Sequence, residues 1–464
     1  MRQALEKSLR NELERAVIKA RDIAETAAEQ VLKRLNVADR QAASYLNDEQ
    51  RKLRNRLRAH ARQLGDELVD GQQGTKHLLV EVAYEHWHRM LFARFLEQNN
   101  LLMYDEYAAL SLNDCNELAL DPDAGFGAKD GWELAGILAS KMLPQIFRID
   151  SPVFELKFSP EHQRELENII AKLDLKTFQA QDSLGWVYQF WQTKRKDEVN
   201  ESEVKIGADE LSPVTQLFTE PYMVSFLLDN ALGAWWAGKR LTENDIRTAT
   251  TEQELRDKAS IPGVPLEYLR FIKQEEGTTQ ESWIPASGTF DAWPEHLSEL
   301  KTLDPCCGSG HFLVSAFLML VPMRMEMEGL TVNEAIDKVI IDNIHGLELD
   351  QRCVEIAVFA LALEAWRYEG AGGYRALPDY HIACSGLSIE EAQKEWTQLA
   401  KGNEEVAQAV TWMKHHFKDA PVLGSLIEPC NGSFSKRMPW EILQKALPES
   451  TSITLEAEIS SKGL

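Results

Sequence analysis

From Met1 to about Arg62 the apolar residues recur every three or four positions among charges, without glycine or proline, a pattern that predicts long, exposed helices. The stretch "LLVEVAYEHWHRMLFARFLEQNNLL", within residues 77–145, is too apolar and aromatic for a helix in water and predicts buried core. Between Leu211 and Arg240 a capping Thr219 and an acidic Glu220 precede Pro221 at a first-turn position. An apolar face then runs from Tyr222 through Leu228 to a stop near Gly233. Residues from about Thr242 to Trp293 mix charge, proline and glycine without clear period and read as an insertion or long connection.

From Leu303 the pattern changes. A short strand "TLD" meets a glycine-rich turn, "HFLVSAFLMLVPMRMEME" and "NEAIDKVIID" are helical, "NIHGLELD" is a strand, "QRCVEIAVFALALEAWRYEG" a helix, and "DYHIACSGL" a strand. This alternation predicts a parallel, doubly wound sheet. The fold class expected is therefore α/β: a mainly helical N-terminal domain followed by a partial Rossmann-like domain. The boundaries fall at 1–70 for a charged helical segment, 71–205 for a helical domain and 206–464 for the α/β domain, with the insertion near 242–293.

Length and composition narrow the class without naming a function. A chain of 464 residues exceeds one small core, and 44% hydrophobic with 27% charged residues is ordinary for a soluble globular protein. No apolar run reaches membrane-spanning length, and "MRQALEKSLRNELERAV" is an amphipathic helix rather than a signal peptide, so a cytoplasmic location and no membrane are expected. Six cysteines, two of them adjacent at Cys306 and Cys307, form no C-x-x-C pair and read as reduced thiols. His86 and His88 lack companions at metal-ligand spacing and read as packing residues, so no metal is expected. A net charge of -23 argues against a surface that binds nucleic acid throughout. The first sixty or so residues nevertheless carry roughly six more Lys and Arg than Asp and Glu, densest at "RKLRNRLRAHAR". That run reads as a solvated helix face, with phosphate contact as the alternative.

The chemistry concentrates at "KTLDPCCGSGHFLVSAF", residues 301–317. In a doubly wound sheet the ligand lies beyond the carboxyl ends of the strands, where this turn falls. Gly308 and Gly310 allow positive φ and close backbone approach, and the amides opening the next helix carry positive partial charge. The spacing is neither the dinucleotide fingerprint nor a phosphate loop. Carboxylates ring the turn instead: Asp304 ends the first strand, and Glu348 and Asp350 end the second. A ribose diol, an ammonium and a sulfonium suit these acids, a carboxylate suits the helix start, and S-adenosyl-L-methionine combines all four. Cys306 and Cys307 read as filler beneath the turn, and His311 as a helix residue rather than a base.

The segment "LDPCCGSGHFL" resembles the cofactor motif of amino-group DNA methyltransferases, and "HGLELD" resembles their second motif. "QLFTEPYMVSFLLD" is similar to the helix-opening motif that precedes the cofactor motif in the adenine-N6 group. "DSLGWVYQFWQTKRKDEV" resembles a segment of the large phage-defence methyltransferases of the BREX and DISARM systems and of fused restriction-modification enzymes. The likeness covers roughly Asp182 to Leu387. It implies that Asp304, Pro305, Gly308 and Gly310 shape a methionine pocket, that Glu348, with Asp350 beside it, binds ribose, and that Thr219 and Pro221 contact the methionine end. It further implies transfer of a methyl group to adenine in double-stranded DNA, and defence-system proteins as partners.

Two departures qualify the likeness. Where the family places a third acid, "HIACSGLS" offers Ser385 or Cys384. The catalytic motif Asp/Asn/Ser-Pro-Pro-Tyr/Phe/Trp is absent, since the sequence has no Pro-Pro dipeptide. The exocyclic nitrogen of adenine is a poor nucleophile that needs hydrogen-bond acceptors and a stacking ring around the flipped base, and no catalytic residue is assigned in this chain. The expectation is the amino-terminal part of a truncated or split enzyme, with a non-catalytic cofactor-binding or scaffold subunit as the alternative. Cytosine-C5 methylation through Cys430 lacks any companion motif.

Overall fold

The structure, a computed structural model, describes residues 4–202 apart from 145 and 148–150, residue 214, residues 218–276 and 280–385, and residues 404, 407, 408, 411, 412 and 415. Cys430 lies outside the described residues. The chain forms two units. One takes its described residues from Glu6–Gln179, Phe190–Thr215 and Gly386–Leu464; the other from Met1–Leu5, Ala180–Gln189 and Gln216–Ser385.

The first unit is helical. It holds α1 (Lys7–Arg34), α2 (Asp48–Gln63), α3 (Lys76–Gln98), α4 (Leu112–Leu118), α5 (Gly131–Met142), α6 (Pro160–Ala171), α7 (Leu175–Gln179) and the later turns of α8 (Ser183–Ser202), with a small hairpin of β1 (Leu68–Val69) and β2 (Gln72–Gln73). The apolar stripe of α1 is not exposed as its spacing suggested. Leu13, Val17, Ala20, Ala24, Ala27 and Val31 are buried, and α1 packs on α3. Small residues at three- and four-residue spacing let the two helix backbones come close. Helix α3 is apolar around most of its circumference, as a central core helix must be, with Trp87, Phe92 and Phe95 almost wholly buried. His86 and His88 both lie against aromatic rings. His86 stacks on Phe158 at 4.3 Å and its Nε2 lies 3.2 Å from the Val153 carbonyl; His88 lies 3.7 Å from the ring centre of Phe92.

Part of the basic run on α2 is turned to the fold rather than to solvent, while Lys52, Arg56 and Arg62 are exposed. Arg54 donates to the carbonyls of Asn36 (2.8 Å) and Asp39, Arg58 to that of Gly71 (2.8 Å), and Arg51 to that of Leu46 (2.9 Å). The guanidinium fork satisfies loop carbonyls that have no helix or sheet partner.

The second unit carries the cofactor-motif region. Its helix α9 (Pro221–Leu228) starts with Pro221, and the cap residue is Glu220 rather than Thr219, without a side-chain capping bond. The chain does not stop at Gly233: a π-turn over Asp229–Gly233 leads into α10 (Ala234–Arg240). The stretch expected as a connection is folded. Thr242 and Asp245 form a capping box that opens α11 (Glu243–Thr248), Thr251 caps α12 (Glu252–Ala259), and β3 (Phe271–Glu276) pairs antiparallel with β4 (Gln280–Pro285). Local caps make these short helices where hydrophobic periodicity is too brief to signal them.

Three strands form a small parallel sheet in the order β5 (Thr302–Asp304), β6 (Ile344–Glu348), β7 (His381–Cys384). Asp304 pairs with Gly346 and Glu348 with Cys384, which brings the carboxyl ends of the strands together. Between them run α13 (His311–Glu328), α14 (Val332–Asp342) and α15 (Gln351–Arg367). One face of the sheet is covered: Ile344, Gly346 and Ile382 are buried, and a methyl placed on Gly346 would meet Leu313 of α13 at 2.9 Å. On the other face Leu303 is 58% exposed. Among the described residues no helix is long and apolar enough to cross a membrane.

Candidate functional site

The turn after β5 owes its shape to three local features. The Asp304 carboxylate accepts the Cys306 amide at 3.1 Å, Gly308 takes φ +52°, and Gly310 takes φ +80° as the N-cap of α13. The two glycines are needed for different reasons. A methyl on Gly310 would lie 2.8 Å from Cβ of Ala357, so this glycine lets α13 press against α15. A methyl on Gly308 would meet nothing within 4 Å, so here the bare backbone faces open space. Pro305 and Cys306 are exposed, whereas Cys307 is buried beneath the turn, its amide bonded to the Leu347 carbonyl at 2.9 Å. Burial pushes the Cys307 thiol up, which keeps it an inert filler as expected.

Glu348, at the end of β6, holds the turn. One of its oxygens accepts the Gly308 amide at 2.7 Å, and the other accepts the amides of Leu349 (2.7 Å) and Asp350 (3.1 Å). Ser385 joins the same point, its amide 2.7 Å and its hydroxyl 3.2 Å from the Glu348 carbonyl. Gly308 and Ser385, far apart in sequence, thus meet Glu348 and Asp350 in one connected network, and Asp304 ends the neighbouring strand.

The two acids of "HGLELD" differ in what they leave available. Asp350 caps α15 and receives the Arg352 amide (3.0 Å), the Arg352 guanidinium (2.7 Å) and the Tyr188 hydroxyl (2.6 Å). Burial works against its charge, but Arg352 and Tyr188 hold its carboxyl at about 2. Asp304 is half-buried, and burial pushes its carboxyl up from the usual range. The start of α13 has no side-chain cap and no acid in its first turn, so its leading amides have no anionic partner within the helix. A bare glycine backbone, uncapped amides and a nearby carboxylate suit a ligand with both an anionic and a cationic end, which fits the amino-acid moiety of S-adenosyl-L-methionine.

Thr219 is half-buried in the extended entry to α9, and Pro221 lines a cavity of about 530 Å³ with Asp229 and with His311 of α13. Sequence reasoning passed over Asp229 and read His311 as a helix residue rather than a base. Asp229 is 5% exposed, its Oδ2 accepts the Tyr268 amide at 2.9 Å, and burial raises its carboxyl to about 6. His311 is 8% exposed, its ring centre lies 4.5 Å from that of Phe218 with the rings tilted, and burial pushes it down to about 4, so it is neutral at pH 7. The one available signal was the acid that ends "SFLLD", a charge placed where the apolar face should continue.

Residues 281–373, which include Asp304, Gly308, Glu348 and Asp350 but not Ser385, match the family described as the DNA-methyltransferase domain of MmeI. Over 356 residues the chain is 25% identical to the adenine-specific methyltransferase PglX of Lacticaseibacillus casei (strain Zhang), covering 68% of this chain and 28% of that protein. This chain resembles adenine-specific methyltransferases. The adenine-specific methyltransferase BrxX of Escherichia coli O9:H4 (strain HS) is 27% identical over 239 residues, 50% of this chain and 17% of its own length. A putative type II restriction enzyme and methyltransferase, RM.MjaORFECS2P of Methanocaldococcus jannaschii, is 27% identical over 168 residues, 33% of this chain and 14% of its own. The chain spans less than a third of the length of these adenine-specific and restriction-modification relatives. The likeness read from the motifs is therefore borne out by proteins of the same named class.

Proposed function

We propose that this chain is the S-adenosyl-L-methionine-binding portion of a DNA adenine-N6 methyltransferase that acts in phage defence or restriction-modification. The observation that carries the reading is the Gly308–Glu348 network at the carboxyl ends of parallel strands, inside the segment that matches a methyltransferase domain. In this reading the sheet is the first half of a Rossmann-like fold.

When bound, the cofactor supplies an electrophilic methyl group on a sulfonium. The half-buried carboxylate of Asp304 receives its ammonium, while the leading amides of α13 receive its carboxylate, each by a charge-assisted bond. Gly308 keeps this approach free of side-chain bulk. Glu348 has one acceptor site left beside the three amides it already serves, enough for one ribose hydroxyl. Its first task is to fix the Gly308 amide in place. Asp350 is a positioning residue, committed to Arg352 and Tyr188. Ser385 at the end of β7 stands where the adenine edge would lie, and Thr219 with Pro221 at the methionine end. Double-stranded DNA is the substrate, and the groups that hold the flipped adenine come from polypeptide bearing the Pro-Pro motif that this sequence does not contain.

Calorimetric titration of S-adenosyl-L-methionine tests the reading. Saturable binding that Asp304→Ala weakens by about 1–3 kcal/mol, the value of a charged hydrogen bond, is expected. Undiminished binding in Asp304→Ala together with Gly308→Val would remove the cofactor from this turn.

A further inference from the structure

From Gln50 to Gly65 the sequence contains no Asp or Glu but holds Arg51, Lys52, Arg54, Arg56, Arg58 and Arg62, in a protein of net charge -23. The fold of α2 divides these cations into two sets. Arg51, Arg54 and Arg58 turn inward and donate to the carbonyls of Leu46, Asn36 and Gly71. Lys52, Arg56 and Arg62 are exposed. Separated by four and six residues on a helix of 3.6 residues per turn, these three share one face, with the exposed Asn55 and Ala59 between them. Leu57 and Ala61 on the opposite side are fully buried.

The face is fixed in place and mostly clear of acid. A capping box of Asn47 and Gln50 starts the helix, and the three inward guanidinium groups tie it to the loops around it. Asp48 and Glu49 occupy the first turn, where the helix dipole favours them, and leave the turns from Arg51 to Gln63 free of acid. Asp66 accepts the amides of His77 and Leu78 at 2.9 Å. Glu67 and Asp70 are exposed on the hairpin that follows. Arg62 donates to the neutral Gln73 side chain at 2.9 Å. Arg56 pairs with Glu155, but both side chains are 49% exposed, and salt and water weaken such a pair. The exposed Arg40 extends the patch, because its side chain and the Arg58 guanidinium meet at Gly71.

We propose that this face of α2 holds the phosphate backbone of double-stranded DNA, without reading bases, as a contact separate from the cofactor turn. Spaced cations with only Asn and Ala between them suit a ligand of repeated single negative charges. A membrane-surface helix sets large apolar side chains beside its cations, and a protein interface centres on an aromatic or aliphatic anchor. This face has neither, since α2 buries Leu57. The choice of DNA among polyanions rests on the methyltransferase reading.

Fluorescence anisotropy of a labelled DNA duplex with the full chain, between about 50 and 200 mM salt, is the test. Binding should be saturable, and contact through Lys52, Arg56 and Arg62 should give log affinity against log salt a slope of about -3. Lys52→Ala/Arg56→Ala/Arg62→Ala should lower affinity about tenfold or more at the low-salt end and flatten the slope by about one per charge removed. Lys19→Ala/Lys172→Ala/Lys176→Ala removes as much charge from exposed positions of the same unit and should stay within about twofold. Thermal melting confirms that both variants are folded. Three results overturn the proposal: no duplex binding at the low-salt end; equal loss in both variants, which marks net charge rather than this face; or displacement by polyglutamate as effective as by unlabelled duplex, which marks a surface for acidic polypeptide. Calorimetry with S-adenosyl-L-methionine separates the two readings. Cofactor binding without duplex binding removes this surface alone, and duplex binding through this face without cofactor binding removes the methyltransferase reading and keeps the surface.

Discussion

The carboxylate of Glu348 accepts the amide of Gly308 at 2.7 Å, so the last residue of one strand sets the turn that follows its neighbour. A residue expected to meet the ligand is first a brace for the backbone of the turn.

Replacing Glu348 by Ala strands three amides that it now accepts, those of Gly308, Leu349 and Asp350. The expected loss is about 2–3 kcal/mol of stability, together with weaker cofactor binding. Glu348→Gln keeps one acceptor oxygen and should lose about half as much. Denaturant unfolding beside calorimetry reads both effects, and an Ala variant as stable as the parent would refute the bracing role.

The two turn glycines should respond differently to alanine. Gly310→Ala combines a left-handed backbone with a contact 2.8 Å from Ala357, for an expected cost of about 3 kcal/mol. Gly308→Ala pays only the backbone cost of about 1 kcal/mol, because its methyl meets open space. Its larger effect should fall on ligand affinity. Melting curves and cofactor titrations of the two variants separate these outcomes.

Asp350 gives the protein an acid-sensitive element. Its folded carboxyl lies at about 2, below its value of 3.8 when unperturbed, so its contribution is complete above pH 4 and is lost as pH falls through 2. The size is on the order of 2 kcal/mol. Asp350→Asn should reduce stability at pH 7 and flatten the decline between pH 4 and 2. Tyr188→Phe should weaken the element in the same direction, as followed by acid unfolding.

In the helical unit, Arg54→Ala removes the donor from the carbonyls of Asn36 and Asp39 and leaves a cavity at a residue 4% exposed. A cost of about 1.5–3 kcal/mol is expected. Lys52→Ala, on the exposed side of the same helix, should stay within about 0.5 kcal/mol. Equal effects of the two in urea unfolding would mean that the basic run acts through its charge alone.

What could be read from the chain divides along physical lines. Helix α13 was legible because glycine marks both ends, Gly310 at φ +80° and Gly329 at φ +68°, and α14 because Thr331 and Glu334 form a capping box. The strands β5 to β7 were legible from the acids and glycines that end them. The elements of residues 242–293 were not, because Thr242 and Thr251 make them through single caps rather than through a repeating face. The π-turn leaves no side-chain mark, so Gly233 looked like a stop. Residue type placed Asp304, Gly308 and Glu348 near one turn, but the bond from Gly308 to Glu348 crosses 40 residues and belongs to tertiary structure. Asp229 and His311 became notable only once burial had stripped them of water.

The first residues of the chain return to the unit that carries the turn: the Leu5 amide donates to Asp182 at 2.7 Å, and Asp182 also accepts the Trp186 indole at 2.8 Å. Sequence order and structural membership are thus different partitions of this protein. A fragment cut to begin at residue 216 would keep every glycine and acid of the cofactor motif. It would leave behind Tyr188 and so remove the hydroxyl that Asp350 accepts. Dissecting this protein into active pieces therefore calls for co-expression of the segment 180–189, not trimming to the motif.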